Sequence, residues 1–185
     1  MPEEWTVSAI TRATLPVLLA LTAVEIGSGL VLGTFEATLY RHPSLLVLVP
    51  VTIGTAGNLG SILASRLSTA MHLGTLSFAP TDDDLAGNAL ATVTLALSVF
   101  PVVGAGAWAA TALTGTPDLT IWTVVAVSFA AGAALALLAV GITVTATYAA
   151  YRLRLDPDDV VIPVVTNLCD VLGVVVLFAV VQVLV

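Results

Sequence analysis

The sequence is 185 residues long, 58% hydrophobic and only 9% charged. So few polar side chains cannot cover the surface of a water-soluble domain, and we therefore expect the lipid bilayer to be the solvent of this chain. The net charge is −7, with five arginines and no lysine. This argues against a nucleic-acid partner, because binding to phosphates needs cations.

Five apolar stretches are long enough to cross a bilayer, since a membrane-spanning helix needs about 20 residues. In chain order they cover residues 14–39, 44–71, 84–113, 119–151 and 157–185. Because hydrocarbon satisfies no backbone hydrogen bonds, every span must be helical. The sequence thus predicts an all-α polytopic membrane protein in contact with membrane lipid. Residues 1–13 are expected to form a short cytoplasmic segment, and residues 14–185 a five-helix transmembrane domain.

The charged and aromatic residues predict how the helices are oriented. Four arginines fall on the side of the N-terminus, namely Arg12, Arg66, Arg152 and Arg154, and only Arg41 falls on the other. The positive-inside rule then places the N-terminus in the cytoplasm. We expect the chain to lie in the cytoplasmic membrane. The aromatic residues expected at the membrane interfaces agree with this orientation. Trp108 and Trp122 fall at the outer interface, and Trp5, Tyr148 and Tyr151 fall at the inner one. Five helices are few for a complete transport pathway, so we expect a dimer.

One acid, Asp170, lies well inside the fifth predicted span. A charge at this depth costs about 2.5–3.5 kcal/mol on insertion scales, so it must meet a cation, a proton, a polar partner or water. Thr166, Asn167 and Gly173 share its helical face, and Pro163 lies one further turn away. This stripe of oxygen atoms indicates a cation site. The alternative is a carboxyl group neutralised by hydrogen bonds to another helix.

The second predicted span contains helix breakers and an amide in "PVTIGTAGNLGSILASRLSTAMHLG", residues 50–74. Its small and polar residues fall on one helical face: Gly54, Gly57, Asn58, Ser61, Ser65 and Ser68. Such a face can be a tight packing seam between helices. Together with Asp170, Asn58 would instead complete an oxygen-only site, which suits Mg²⁺ because Mg²⁺ keeps most of its waters and needs one or two carboxylates.

Three segments resemble one known family. "PVTIGTAGNLGSILASRLST" is similar to the P-x-x-x-G-x-x-G-N segment of MgtE-type magnesium transporters, and its "ASRLST" end resembles their eukaryotic solute-carrier relatives. "YRLRLDPDDVVIPVVTNLCDVLGV" is similar to the last helix of the family, with its D-P start and buried acid. "GTFEATL", at the end of the first span, is a weaker match.

The resemblance implies a dimeric transmembrane domain with a pore along the subunit interface. It implies that Asp170 from both copies holds a largely hydrated Mg²⁺, and that Gly54, Asn58 and the Thr166 carbonyl help to surround it. Asn167 is a further candidate ligand from its place beside Asp170. The expected activity is the transport of divalent cations, Mg²⁺ first, with no organic cofactor and no enzymatic step. Mn²⁺ and Co²⁺ share the same octahedral oxygen preference.

The sequence also departs from the family. It contains no counterpart of the cytosolic helical domain and paired CBS domains of bacterial members, and it corresponds to one half of the two-half eukaryotic relatives. It can therefore form a homodimer or pair with a sibling half. Glu25 lies in the first span, where no acid is expected. It is a second cation or proton site, or a protonated structural carboxyl. Glu36, near the outer end, either lines the pore mouth or is a solvated carboxylate.

Two rival functions follow from these departures. If Glu25 exchanges a coupling ion, the protein is an exchanger driven by Na⁺ or H⁺ and not a channel. The other rival is a non-conducting membrane subunit that regulates or anchors a sibling half. An intramembrane enzyme is not expected, since the sequence has neither a Ser–His pair nor an H-E-x-x-H motif.

Overall fold

The computed structural model describes residues 6–79, 81–115 and 117–185. Across these ranges the chain forms helices and no strand: α1 Val7–Gly33, α2 Glu36–Arg41, α3 Pro43–His72, α4 Asp83–Thr114, α5 Ile121–Leu153 and α6 Pro157–Leu184. All except the short α2 are long and apolar enough to cross a membrane. The predicted all-α class with five membrane-spanning helices is therefore confirmed. Trp5, assigned to the inner interface, lies outside the described residues.

The predicted limits of the first span, 14–39, are wrong for the helix itself. α1 begins seven residues earlier, because the Thr6 side chain accepts a hydrogen bond from the Ala9 N–H at 3.3 Å and caps the helix. α1 ends before Thr34, whose hydroxyl donates to the Val31 carbonyl at 2.7 Å and tightens the last turn. Glu36 therefore starts a separate short helix and does not extend α1.

The four helices α3 to α6 pack into one bundle, and α1 packs against the α6 side of it. α3 and α6 are antiparallel neighbours. Three residue pairs define their register, Ile53 with Gly173, Gly57 with Asp170, and Ser68 with Asp158. This register places the midpoint of α6 against the midpoint of α3.

Polar contacts at the two ends of the bundle fix the direction of each helix. At one end His42, before α3, contacts Asp118, before α5. At the other end the Ser68 hydroxyl donates to Asp158 Oδ1 at 2.7 Å, which joins the end of α3 to the start of α6. Since successive long helices alternate in direction, α1, α4 and α6 run one way, and α3 and α5 run the other.

α4 and α5 pack closely where glycines take the place of larger side chains. The Phe100 ring lies directly over Gly132, and Gly104 lies against the backbone of Val125. The Ser128 hydroxyl donates to the Phe100 carbonyl at 2.6 Å, so the crossing also satisfies its buried polar atom. These contacts join α4 to α5 within the core that also contains Val165 and Cys169 of α6.

Gly132→Ala is expected to destabilise the fold by about 1–3 kcal/mol, the usual cost of overpacking a well-filled core. The added Cβ would lie 2.6 Å from the Phe100 Cβ, so the ring must move. The measurement is thermal unfolding of the purified protein in detergent. Gly106→Ala is the control, because nothing lies within 4 Å of its added Cβ. A Gly132→Ala protein with the same melting temperature as the Gly106→Ala control would contradict this packing.

The connection between α3 and α4 is held by one acid at the start of α4. Oδ1 of Asp82 accepts the Leu85 N–H at 3.0 Å, and Oδ2 accepts the N–H and the hydroxyl of Ser77 at 2.6 and 2.9 Å. Because hydrogen bonds favour the ionised form, first that from Leu85 and then those from Ser77, they lower the pKa of Asp82 to about 2.

The Asp82 cap predicts a pH-dependent contribution to stability. A folded-state pKa below the ordinary 3.8 means that this contribution is complete above pH 3.8 and is lost as the pH falls towards about 2. Asp82→Ala should therefore melt below wild type at neutral pH, and the difference should shrink in acid. Melting curves of both proteins across this range test it. A difference that does not change with pH would contradict the role of the ionised cap.

Candidate cation site

Asp170 lies near the midpoint of α6 and faces a gap that Gly57 leaves on α3. A Cβ added at Gly57 would collide with Asp170 Oδ1 and would lie 3.4 Å from the Thr166 methyl carbon. Only glycine therefore lets the carboxylate lie directly against the α3 backbone. The sequence placed Gly57 in the small-residue stripe but not among the site residues, and the structure makes it the contact surface for Asp170.

Two buried oxygens on this part of α6 have no hydrogen-bond partner. Within the described residues, neither Asp170 Oδ1 nor Asn167 Oδ1 accepts a hydrogen bond. Leaving a buried acceptor unpaired costs about 1–3 kcal/mol, and more when the group is charged. The alternative that hydrogen bonds from another helix neutralise Asp170 thus finds no donor to Oδ1 in the described part of the chain. The arrangement therefore leaves two buried oxygen atoms without a hydrogen-bond partner in the described part of the chain.

Thr166 contributes differently from its neighbours. Its hydroxyl donates to the Ile162 carbonyl at 2.9 Å, so the side chain is occupied within α6. Its methyl group faces Gly57. The hydroxyl oxygen keeps its lone pairs when it donates, so Thr166 could meet an ion or its waters through this oxygen as well as through the backbone carbonyl that the family resemblance implies.

The small polar stripe on α3 is divided between two environments. Gly57 and Ser68 are buried beneath α6, whereas Gly54 and Asn58 are exposed on the surface of the subunit. Nothing lies within 4 Å of a Cβ added at Gly54. The Ser61 hydroxyl donates to the backbone carbonyl of Asn58 at 3.1 Å, so this hydrogen bond does not involve the side-chain amide of Asn58. Gly54 and Asn58 thus form a polar surface next to the Asp170 side of the helix.

The two glutamates predicted as secondary sites lie in different places. Glu25, on α1, is exposed and lies close enough to Asp170 for their charges to repel each other. Glu36, on α2, is also exposed and lines a cavity of about 310 Å³ between α1, α2 and α3, with Gly29, Gly33 and Tyr40. The structure therefore places Glu25 on the helix that packs against α6, and Glu36 near the end of α1.

One buried polar residue near the site gave no signal in the sequence. Thr52 is fully buried on α3, and its hydroxyl has no hydrogen-bond partner among the described residues. Threonines in helices ordinarily donate to the carbonyl four residues earlier, as Thr166 does. A threonine whose hydroxyl does not make this hydrogen bond can be identified only from how it packs in the structure.

The donor set limits what kind of ion the site can hold. No group of three or more His, Cys, Asp or Glu side chains is close enough to bind a metal within the described ranges. A cation here would rely on carboxylate, amide, carbonyl and water oxygens. Such a sparse set fits Mg²⁺, which keeps several waters and needs only one or two carboxylates, better than it fits Zn²⁺.

The fold and this site define an integral helical membrane protein with a half-buried carboxylate near the midpoint of α6 that has no ion-pair partner among the described residues, as is typical of proteins that move ions. The family model of the MgtE divalent cation transporters matches residues 49–180. The chain belongs to the MgtE family, and the resemblance seen in the sequence is confirmed. Its family-level function is thus divalent cation transport, and its family is one of transporters and not of enzymes. No protein with a curated description matches the chain.

Proposed function

We propose that this protein moves divalent cations, with Mg²⁺ as the expected ion, through a pore between two subunits. The observation that carries this proposal is the Asp170 carboxylate, packed against Gly57 with a buried oxygen that has no donor among the described residues. A carboxylate held in this way attracts a cation, because both the charge and the missing hydrogen bonds are then satisfied.

The exposed polar surface supports a subunit interface beside Asp170. Glu25, Gly54 and Asn58 are exposed on the isolated chain near the middle of the spans. Against lipid, a charged side chain at this depth would cost about 2.5–3.5 kcal/mol on insertion scales. A second subunit, either the same chain or a sibling half, together with water in the pore, would remove that cost and bring two copies of Asp170 together.

In this arrangement Asp170 acts as an electrostatic anchor. Two facing carboxylates balance the charge of one divalent ion, while the ion keeps most of its waters. The Asn58 amide oxygen and the Thr166 and Gly54 carbonyls would accept hydrogen bonds from those waters. No covalent step occurs. Because conduction also needs release, binding must be moderate.

The distribution of arginines supports an orientation in the cytoplasmic membrane. Arg66, at the end of α3, and Arg152, at the end of α5, lie at the same end of the bundle as the start of α1. The positive-inside rule assigns that end to the cytoplasm. The N-terminus is then cytoplasmic, and the cavity beside Glu36 opens on the outer side.

Flux measured with the purified chain alone tests the proposal. The chain is reconstituted into liposomes that contain a Mg²⁺-sensitive dye, and uptake is followed after Mg²⁺ addition. Uptake supports a pore formed by this chain. No uptake from a folded, inserted protein would contradict it and would favour the non-conducting subunit.

A coupled exchanger is the second candidate function, and the observation that favours it is the position of Glu25 on α1, which packs against the helix of Asp170. A second acid near the ion gives a coupling ion a place to bind. Uptake that rises with an imposed Na⁺ or pH gradient would support exchange. Uptake that follows only the Mg²⁺ gradient and the membrane potential would support a channel.

A further inference from the structure

The face of α1 that packs against α6 carries an acid. The least exposed residues of α1 form a stripe at helical spacing: Thr14, Val17, Leu21, Ser28 and Leu32. Since α1 packs against α6, this stripe is its α6-facing side. Glu25 lies four residues after Leu21 and three before Ser28, so it belongs to the same stripe. Glu25 is exposed, whereas Leu21 is buried and Ser28 is half-buried.

The helix ends place Glu25 at the depth of Asp170. Phe35, just beyond α1, stacks on Phe178 of α6 with ring centroids 4.0 Å apart. α1 and α6 run in the same direction from this contact. Glu25 lies ten residues before Phe35, and Asp170 lies eight before Phe178. At 1.5 Å per helical residue these steps are about 15 and 12 Å, so the two acids differ in depth by less than one turn.

Nothing in the described part of the chain neutralises this pair. The one ion pair there joins His42 and Asp118, at the end of the bundle. Asp170 Oδ1 has no donor, and the charge of Glu25 repels that of Asp170. Two adjacent carboxylates without a partner are costly in a medium of low dielectric constant. A divalent cation between them would turn this repulsion into attraction.

We propose that Glu25 supplies a second carboxylate to the cation site of Asp170, so that each subunit offers two acids to the ion. The inference rests on the proposed function, since it extends the same site. Glu25 lies outside the residues that the family model matches, 49–180. A higher local negative charge should favour divalent over monovalent cations and should tighten binding.

Glu25→Gln tests the inference with two readouts, the Mg²⁺ concentration for half-maximal flux and the rise in melting temperature when Mg²⁺ is added in detergent. We expect the half-maximal concentration to rise about ten-fold or more, as is typical when a group that supports a metal site is lost. The stabilisation by Mg²⁺ should shrink in parallel. Without Mg²⁺, Glu25→Gln should melt no lower than wild type, because the repulsion is gone.

Glu25→Asp and Asp83→Asn complete the design. Glu25→Asp keeps the charge, and its values in both readouts should lie between those of wild type and Glu25→Gln. This variant keeps the test valid if the glutamine variant folds poorly. Asp83 is an exposed acid at the start of α4, and its amide variant should behave as wild type. Wild-type values for both Glu25 variants, with flux still lost in Asp170→Asn, would overturn the inference alone. Flux retained in Asp170→Asn would instead overturn the proposed function.

Discussion

Asp170→Asn is expected to abolish Mg²⁺ flux, or to reduce it at least about 30-fold, while the protein still inserts and folds. The substitution keeps the shape of the side chain and removes its charge. Losing one charged partner of a desolvated ion costs about 2–5 kcal/mol, and 2 kcal/mol corresponds to about a 30-fold change. Dye-reported uptake in liposomes at matched protein content measures the effect.

Asp159→Asn is the matched control for this variant. Asp159 lies in the first turn of the same helix, so the control makes the same chemical change at the end of the membrane span. We expect it to transport as wild type does. If Asp170→Asn transported as well as this control, Asp170 would not be the anchor, and the carboxylate would need a structural explanation.

Replacing Gly57 should also reduce transport strongly, although glycine carries no ligand. An added Cβ takes the space of Asp170 Oδ1, so the carboxylate must turn away from α3. Overpacking of this kind costs about 1–3 kcal/mol, which corresponds to about 5- to 150-fold. We expect Gly57→Ala to fall within this range in flux and Gly57→Val to lie at or beyond its upper end.

Gly141→Ala separates this effect from a general effect of alanine in a membrane helix. Gly141 lies within α5, and nothing is within 4 Å of a Cβ added there. Its variant should transport as wild type does. Both Gly57 variants should still insert and elute at the wild-type size. Full flux in Gly57→Val would show that the observed position of Asp170 is not needed for transport.

Most of the fold follows from hydropathy and turn chemistry. Five long apolar stretches in a bilayer must be helices, and Pro43, Asp82 and Pro157 indicate where three of them begin. The end of the first helix could not be predicted in this way. The sequence stays apolar through Leu32, and the break depends on a local hydrogen bond from Thr34. Its start was missed because the polar residues near Thr11 are compatible with either a loop or an exposed helix.

The candidate site was predictable along each helix but not between helices. Helical periodicity alone places Thr166 and Asn167 beside Asp170. That Gly57 receives the carboxylate while Asn58 faces outward depends on how α3 is rotated against α6, and a nearly uniform apolar sequence does not determine this. The depth of Glu25 relative to Asp170 depends on how α1 packs against α6, which the Phe35–Phe178 contact helps to define.

The most direct test is a crystal structure of the full chain grown with Mn²⁺, whose anomalous scattering identifies the ion. We expect a Mn²⁺ peak on the two-fold axis between subunits, surrounded by waters, with an Asp170 carboxylate from each side. A structure in which the Asp170 carboxylates point away from the subunit interface and bind protein groups, with no metal between them, would contradict it.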